Sequence, residues 1–270
     1  MGTPIGNLED LTFRALKILS EINYIFSEDT RVSKKLLNNY KIQSKLISIY
    51  KPNQKLNTEY FIDLIENNDV AFITDAGTPG VSDPAAEFVK LARNDNHKII
   101  TIPGVSAVTS AFSVSGIESK GFNFLGFLPK SETQKIKTLN KAIETFMPIV
   151  IFESPRRIKR TLEFLKFEFK VKNIFIGKEL TKIYETVFYG DIEDALKEFN
   201  NEKGEFVIIF TPEEINFSKS LIDKYDKILI EGYKKGIKGK RLLNLISDLS
   251  GTNKSLLYDR WLQIKKNNEN

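Results

Sequence analysis

The stretch VAFITDAGTPGVSDPAAEFVK, residues 70–90, decides the fold class of this chain. A continuous apolar run, Val70–Thr74, ends in a loop of glycine, proline and small hydroxyl residues, and Pro84 then opens a segment with helical periodicity. An uninterrupted apolar run of this kind is typical of a parallel strand that is buried on both faces. Proline is favoured in the first turn of a helix. The stretch therefore predicts a strand, a loop and a helix of a parallel α/β sheet.

Short apolar strands alternate with amphipathic helices on both sides of this stretch. Strands are predicted at Ile22–Phe26 and Ile99–Ile102, and a helix is predicted at Leu11–Glu21 with Asp10 as its cap. From Asn216 onward the pattern is helical only. Because strands that alternate with helices form parallel or mixed sheets, we expect an α/β fold. Its mixed sheets are flanked by helices, and a small helical C-terminal domain follows.

Changes in the pattern of predicted strands and helices divide the chain into three parts. We expect an N-terminal α/β lobe (residues 1–118), a C-terminal α/β lobe (residues 119–212) and a basic helical appendage (residues 213–270). Within the appendage, the helices Leu242–Leu249 and Ser255–Ile264 are joined by the turn LSGTNKS. This spacing predicts a unit similar to a helix-turn-helix.

The composition excludes several kinds of chemistry. The chain has no cysteine, which removes disulfides, thiolate nucleophiles and thiolate metal ligands. The single histidine, His97, lies in a polar turn, so neither a Ser-His-Asp triad nor a histidine-rich metal site is expected. No apolar run approaches the roughly 20 residues that cross a bilayer, and the N-terminus has no signal-peptide pattern. We therefore expect a cytoplasmic protein that binds neither membrane nor metal.

Positive charge is concentrated at the C-terminal end. Residues 233–270 hold nine of the 40 Lys and Arg and three of the 35 Asp and Glu, a local balance of +6 against +5 for the whole chain. The other 232 residues therefore have a balance of −1. Such a run indicates either a contact with a polyanion or a solvated basic face, and the second meaning is the commoner one.

Four loops next to predicted strands concentrate glycine, proline and small hydroxyl residues: Thr3–Asn7, Thr74–Gly80, Pro103–Ala107 and Phe152–Arg157. Open α/β sheets bind ligands at the carboxyl ends of their strands, where glycine permits close approach of the backbone. Any one of these loops alone is adequately explained as a turn, but several at successive strand ends favour a ligand site. None matches a dinucleotide-binding or P-loop pattern.

Seven motifs that follow one another in a single order carry a family resemblance: TPIGNLED, SEDTR, DAGTPGVSDP, PGVSA, GFLP, FESPRR and GKELTKIYE. Over nearly the whole chain they resemble the small-subunit ribosomal RNA methyltransferases of the tetrapyrrole-methylase superfamily. The resemblance implies a homodimer of two-lobed subunits with S-adenosylmethionine between the lobes. It also implies 2′-O-methylation of a cytidine ribose in the decoding centre of 16S rRNA, within the small ribosomal subunit.

One feature departs from the family pattern. Relatives carry a strand immediately before the TPIGN loop, whereas only Met1 and Gly2 precede it in this chain. We expect either a start further upstream or a first lobe that lacks this strand.

The resemblance implies positions for the methyl donor. The methionine and ribose parts would lie against the Asp75–Thr78 loop and the Ser106–Ala107 turn, with Phe152 and Leu180 as walls for adenine. Asp75 would bind ribose hydroxyls, or else it caps its own loop. The candidate cofactor residues are Pro4, Asp75, Ala76, Gly77, Thr78, Ser106, Ala107, Phe152 and Leu180.

Transfer of a methyl group to a ribose oxygen requires a group that removes the hydroxyl proton. The candidates are Glu153, Lys178 and Glu179, with Glu28 as a further one, and Glu153 leads because it lies at a strand end beside two arginines. Candidate RNA contacts are Arg31, Arg156, Arg157, Lys238, Lys240 and Arg241. Each has an alternative explanation: a solvated helix surface, a carboxylate partner for Arg31, or a cap that stabilises a dimer for the tail.

Two other functions compete with this interpretation. One is methylation of a tetrapyrrole or another small molecule by the same fold, which the FESPRR and GKELTK motifs and the basic tail disfavour. The other is nucleic-acid binding without catalysis. The strand-end loops disfavour it, because a binding module has no need of a cofactor cleft.

Overall fold

A parallel three-stranded sheet forms the first lobe in the computed structural model, which describes residues 1–50, 57–80, 83–200, 203–211, 225–250 and 254–269. Strand β1 (Tyr24–Ser27) lies between β2 (Lys45–Ser48) and β3 (Val70–Ile73). The helices of this lobe are α1 (Phe13–Glu21), α2 (Thr30–Asn39), α3 (Thr58–Ile65), α4 (Ala85–Asn94) and α5 (Ala107–Val114). Ser27 pairs with Ser48 on one side and with Ile73 on the other. The three strands therefore end at one common edge.

Both faces of this sheet carry an apolar core, as the run Val70–Thr74 predicted. Successive residues of a strand point to opposite faces, so Ile25 and Ile73 pack with α1 and α2, while Phe26 packs with α3 and α4. The ring of Phe61 meets Phe26 and Phe88 edge-on, with ring centroids 5.2 and 5.0 Å apart. These contacts hold the helices against the sheet.

Two local predictions in the first lobe were wrong. The helix α1 begins at Phe13 rather than Leu11, because the Thr12 hydroxyl caps it by accepting a hydrogen bond from the Ala15 N–H at 3.1 Å. Ile99–Ile102 does not form a strand. The described backbone gives it one hydrogen bond to the neighbouring segment, from the Gly2 N–H to the Ile102 carbonyl at 2.9 Å. A strand needs a ladder of such bonds rather than one.

The second lobe is a mixed five-stranded sheet, in the order β4-β5-β8-β6-β7. Its strands are β4 (Asn123–Phe127), β5 (Ile149–Glu153), β6 (Asn173–Lys178), β7 (Thr186–Asp191) and β8 (Phe206–Phe210). Its helices are α6 (Glu132–Ile143), α7 (Ile158–Phe169) and α8 (Ile192–Glu198). β4 and β5 are parallel and the other neighbours are antiparallel. The predicted mixed sheet flanked by helices is confirmed.

The sheet of the second lobe is covered on both faces. The core with α6, α7 and α8 contains Ile149, Ile151 and Ile208 from one face. The other face, with Val150 and Ile209, packs against α5 of the first lobe through Val108 and Ala111. Burial of apolar surface stabilises by about 25 cal/mol for each Å² that is removed from water. This contact therefore joins the two lobes.

In the described residues of the C-terminal part there are three helical segments: residues 225–234 (α9), α10 (Gly239–Ser250) and α11 (Lys254–Glu269). They share an apolar core that includes Leu229, Leu243 and Trp261, and Arg260 Nε donates to Asp226 Oδ1 at 2.9 Å. The predicted C-terminal helices fall within α10 and α11, while the centre of the LSGTNKS turn and the expected boundary near residue 212 lie outside the described residues. Across the described chain, no helix combines the length and the apolar composition needed to cross a bilayer.

Candidate active site between the two lobes

The carboxyl ends of β1 and β3 bring acidic residues of two motifs together. Glu28 and Asp29 follow β1, and Asp75 follows β3. The Asp29 backbone N–H donates to Asp75 Oδ1 at 2.9 Å, which ties the SEDTR motif to the DAGTP loop. The structure therefore joins two motifs that are more than 40 residues apart in the sequence.

These carboxylates have different environments. Burial, followed by the charge of Asp75, raises the pKa of Glu28. Burial also raises the pKa of Asp75, although the bond from the Asp29 N–H opposes the change. Hydrogen bonds from the Arg31 side chain lower the pKa of Asp29 to about 2. Glu28 and Asp75 are therefore the carboxylates of this edge that hold a proton more readily than usual.

Arg31 pairs with a carboxylate, which was one of its two predicted roles. Its Nε lies 3.0 Å from Asp29 Oδ1 and its Nη2 lies 2.6 Å from Oδ2, while 88% of the side chain is exposed. The pair leaves other guanidinium N–H groups facing solvent, since arginine carries five donors.

The DAGTP loop is held by the two other loops of the first lobe. Gly77 has a φ of +77°, a left-handed conformation that favours glycine. Its N–H donates to the Thr3 carbonyl at 3.1 Å, and its carbonyl accepts from the Thr3 N–H at 2.9 Å. The Thr78 hydroxyl donates to the Val105 carbonyl at 3.2 Å, in the PGVSA turn next to Ser106. Pro4 of the TPIGN loop is buried, and Ala76 of the DAGTP loop is exposed.

Predicted cofactor residues from three separate motifs meet in one apolar cluster that spans both lobes. Ala107, Phe152 and Leu180 belong to it, together with Ile5 of the TPIGN loop. The Asn7 N–H donates to the Thr181 hydroxyl at 3.0 Å, so the TPIGN and GKELTK loops are in contact across the lobes. The structure thus brings the predicted cofactor loops to one place.

Glu153 does not face this place. Its side chain is fully buried. Oε1 accepts from the Ser154 N–H at 2.8 Å and lies 3.3 Å from Arg157 Nε, and Oε2 accepts from the Thr161 hydroxyl at 2.6 Å. Arg157 also donates to the Leu128 carbonyl at 2.7 Å. A general base must reach the proton that it removes, so burial argues against the predicted role of Glu153. Arg157 is 26% exposed and binds Glu153 and the Leu128 carbonyl, and its predicted phosphate contact stays a prediction.

The two-residue period of a strand explains this outcome. Phe152 lies in the cluster between the lobes, and adjacent strand residues point to opposite faces. Glu153 therefore shares the face of Ile149 and Ile151, which is covered by α6, α7 and α8. The alternation was visible in the sequence, and it excludes Phe152 and Glu153 from facing the same cleft.

Glu179 belongs to an ion-pair network. Its Oε1 accepts from Lys182 Nζ at 2.8 Å and from the Glu205 N–H at 2.9 Å, and Lys182 also binds Glu205 Oε2 at 2.8 Å. Burial alone would raise the pKa of Glu179, but these hydrogen bonds outweigh it and lower the pKa. Lys178 is half-buried at the end of β6.

Two residues beside the predicted adenine wall have left-handed backbones. Glu179 has a φ of +50° and Thr181 a φ of +67°, on either side of Leu180. A β-branched residue at positive φ is a genuine outlier, and such residues cost about 1–3 kcal/mol and cluster at functional sites. Sequence reasoning missed Thr181 and Lys182, because neither a backbone angle nor a partner distant in the sequence is visible in the motif.

The remaining cationic candidates are exposed. Arg156 precedes α7, and Lys238, Lys240 and Arg241, which we term the tail cations, lie at the start of α10. Within the described residues, no cluster of three or more His, Asp or Glu is arranged to hold a metal ion.

Comparison with known proteins identifies the class of protein. Residues 1–196 match the family model for Tetrapyrrole (Corrin/Porphyrin) Methylases, so the chain belongs to this family and is a methyltransferase. A crystal structure of diphthine synthase has a TM-score of 0.64 at 13% identity, covering 78% of this chain and 88% of that one. A cobalt precorrin-4 methyltransferase has a TM-score of 0.57 at 17% identity, covering 78% and 92%. These two likenesses show the fold.

Three curated relatives, each named Ribosomal RNA small subunit methyltransferase I, make the assignment more specific. The protein of Neisseria meningitidis serogroup B is 34% identical, covering 98% of this chain and 92% of that protein. The protein of Halalkalibacterium halodurans is 40% identical, with coverages of 77% and 73%. That of Thermotoga maritima is 38% identical, with coverages of 79% and 97%. The resemblance carried by the motifs is confirmed over the chain.

Proposed function

We propose that this protein transfers the methyl group of S-adenosylmethionine to the 2′-oxygen of a cytidine ribose in the decoding centre of 16S rRNA. The names of the relatives support the substrate class. The observation that carries the proposal is the meeting of the DAGTP, PGVSA, TPIGN and GKELTK loops around one cluster that includes Phe152.

The residues at this place fit the chemistry of the methyl donor. An adenine ring requires apolar walls, which Ala107, Phe152 and Leu180 offer. Ribose hydroxyls require an acceptor such as the Asp75 carboxylate. Gly77 lets the backbone approach closely, and Pro4, Ala76, Thr78 and Ser106 complete the proposed set. When bound, S-adenosylmethionine supplies an electrophilic methyl group on a positively charged sulfur.

The reaction forms one bond between the ribose oxygen and the methyl carbon and breaks the bond between that carbon and sulfur. The hydroxyl proton passes to a base, and the sulfonium becomes a neutral thioether. We propose Glu28 as the proton acceptor in place of Glu153, because it lies next to Asp75 at the strand edge and its pKa is raised. A base is most effective when its pKa approaches the working pH. Lys178 and Glu179 are the alternatives at the second lobe.

RNA contacts are proposed at Arg156 and at the tail cations, all of which are exposed. We propose that the active form is a homodimer in the cytoplasm that acts on the small ribosomal subunit, and that the chain divides at residues 118 and 212 as the sequence indicated.

Two measurements test the proposed function. Calorimetry should detect S-adenosylmethionine bound to the purified protein, and radiolabelled methyl should pass to small subunits from a strain that lacks the modification. ATP and NAD serve as controls and should give no heat. Absence of S-adenosylmethionine binding by folded protein would contradict the proposal.

A further inference from the structure

A second basic region lies in the first lobe, and it extends beyond Arg31 of the SEDTR motif to lysines that no motif identified. Residues 30–58 contain seven Lys and Arg and no Asp or Glu. The rest of the chain then holds 33 basic and 35 acidic residues, since the totals are 40 and 35. Lys51 and Lys55 lie outside the described residues, and the structure places Arg31, Lys34, Lys35, Lys41 and Lys45 on α2, on β2 and on their connection.

A surface groove of about 530 Å³ runs between α2 and residues 42–46 in this region. Arg31, Lys34, Asn38 and Gln43 line it with exposed polar side chains, and Ile42 and Leu46 line it with apolar ones. Among the described residues, no carboxylate forms an ion pair with Lys34 or Lys35. The volume of the groove is that of a pocket for one small ligand or a short chain segment.

One end of the groove lies close to the candidate active site. It begins at Thr30 and Arg31. The preceding residue, Asp29, donates its backbone N–H to Asp75 of the DAGTP loop at 2.9 Å. A chain that occupies the groove would therefore have one end near the proposed site of the methyl donor.

We propose that this groove binds a single-stranded segment of the RNA substrate that adjoins the methylated nucleotide. Phosphates would contact Lys34 and the guanidinium N–H groups of Arg31 that its pair with Asp29 leaves facing solvent, since cations that line a groove attract the RNA backbone. An unstacked base would lie against Ile42 and Leu46. The amides of Asn38 and Gln43 present donors and acceptors to its edge.

The chemistry of the groove favours a single strand over a duplex. Proteins recognise double-stranded RNA by its shape and by phosphate and 2′-hydroxyl contacts across the wide groove, whereas bases of single strands are available to apolar and amide groups. The Asp29 carboxylate holds the Arg31 guanidinium at two atoms, so its orientation toward a phosphate is fixed in advance. This inference rests on the proposed function and extends it to the route of the RNA.

The test measures binding of a fluorescein-labelled single-stranded RNA of about 12 nucleotides around the target cytidine. The double variant Arg31→Gln/Lys34→Gln should raise the Kd roughly five- to twentyfold at about 0.15 M salt, as two charge-assisted contacts are lost. The slope of log K against log salt should fall by about 1.4, at about 0.7 for each phosphate on a single strand. The matched control Lys137→Gln/Lys141→Gln, on α6 of the second lobe, should change neither quantity by more than about twofold.

A gain-of-function variant guards against loss through misfolding. Asn38→Lys adds a cation to the groove on an exposed helix position where lysine is the better helix former. It should tighten RNA binding about threefold and increase the salt slope by about 0.7. Affinity for S-adenosylmethionine should be the same in Asn38→Lys and in the control Lys137→Gln/Lys141→Gln as in the wild-type protein.

Several results would overturn the inference. Unchanged Kd and salt slope in both Arg31→Gln/Lys34→Gln and Asn38→Lys would show that RNA does not occupy the groove. A loss of affinity for small subunits without a loss for the oligonucleotide would assign the groove to a protein partner. Methylation by the wild-type protein separates this failure from failure of the proposed function: transfer to rRNA with no effect of the groove variants leaves the proposed function intact.

Discussion

Glu153→Gln separates a structural role from a catalytic one. The substitution keeps the shape of the side chain but removes the charge that faces Arg157 Nε at 3.3 Å. The new amide can still accept from the Ser154 N–H, and the Thr161 hydroxyl can turn to accept from it. Loss of one partner of a fully buried pair costs about 3–5 kcal/mol. Arg157 keeps its bond to the Leu128 carbonyl and 26% of its side chain is exposed. We therefore expect a smaller loss, about 2–3 kcal/mol.

Thermal and urea unfolding measure this loss. A destabilisation of about 2–3 kcal/mol should lower the Tm by roughly 5–8 °C in a chain of this size. Methyl transfer per folded molecule should stay within severalfold of the wild-type rate. Thr161→Val removes the hydroxyl at the other oxygen and should cost about 1 kcal/mol. The double variant should depart from the sum of the two costs, because both changes alter the hydrogen bond between these two side chains. An unchanged Tm with a fall in turnover of about 10²–10⁴-fold would refute this reasoning and restore Glu153 as the base.

Three further predictions concern Glu28, Gly77 and the tail cations. Glu28→Gln should lower turnover about 10²–10⁴-fold if Glu28 accepts the proton. Because the folded-state pKa of Glu28 is raised, its ionised form costs stability above that pKa. Glu28→Gln should therefore raise the Tm by about 1–2 °C near neutral pH, with the gain lost below the ordinary value of 4.5; a lower Tm near neutral pH would count against this. Gly77→Val should weaken S-adenosylmethionine binding at least about tenfold in calorimetry. Gly116→Val, also at a positive φ but away from the loops, should lose stability without losing affinity; equal affinities in both would remove Gly77 from the site. Neutralising the tail cations should lower the salt slope for subunit binding by about three. Turnover at saturating substrate should stay unchanged. An unaltered slope would show that the tail is a structural cap.

Most of the fold could be predicted from the sequence, because helices and strands show in the local spacing of apolar residues. The run Val70–Thr74 and the loop after it identified a parallel strand, and the structure pairs that strand with β1. The error at Ile99–Ile102 arose because an apolar run specifies a strand only where another segment offers a ladder of backbone groups. The partner of a strand can lie far away in the sequence, so the apolar run alone could not show that no ladder forms here.

The site was predictable where it depends on strand ends, since parallel strands deliver their loops to one edge of a sheet. Roles of single side chains were less predictable, because a carboxylate at a strand end points to either face. Successive residues along β5 point to opposite faces of the sheet, so the alternation places Glu153 on the face away from Phe152. The contact of Asn7 with Thr181, in contrast, depends on how two lobes pack, and no local pattern encodes it.

Methyl transfer to a cytidine ribose of small-subunit rRNA is tested by identifying the labelled nucleoside. The direct measurement incubates the protein and isotopically labelled S-adenosylmethionine with small subunits that lack the modification, and then analyses the nucleosides of the digested RNA by mass spectrometry. We predict labelled 2′-O-methylcytidine in small-subunit RNA and no label in large-subunit RNA. Label on a base, label on ribosomal protein, or no transfer by protein that binds S-adenosylmethionine would contradict the account.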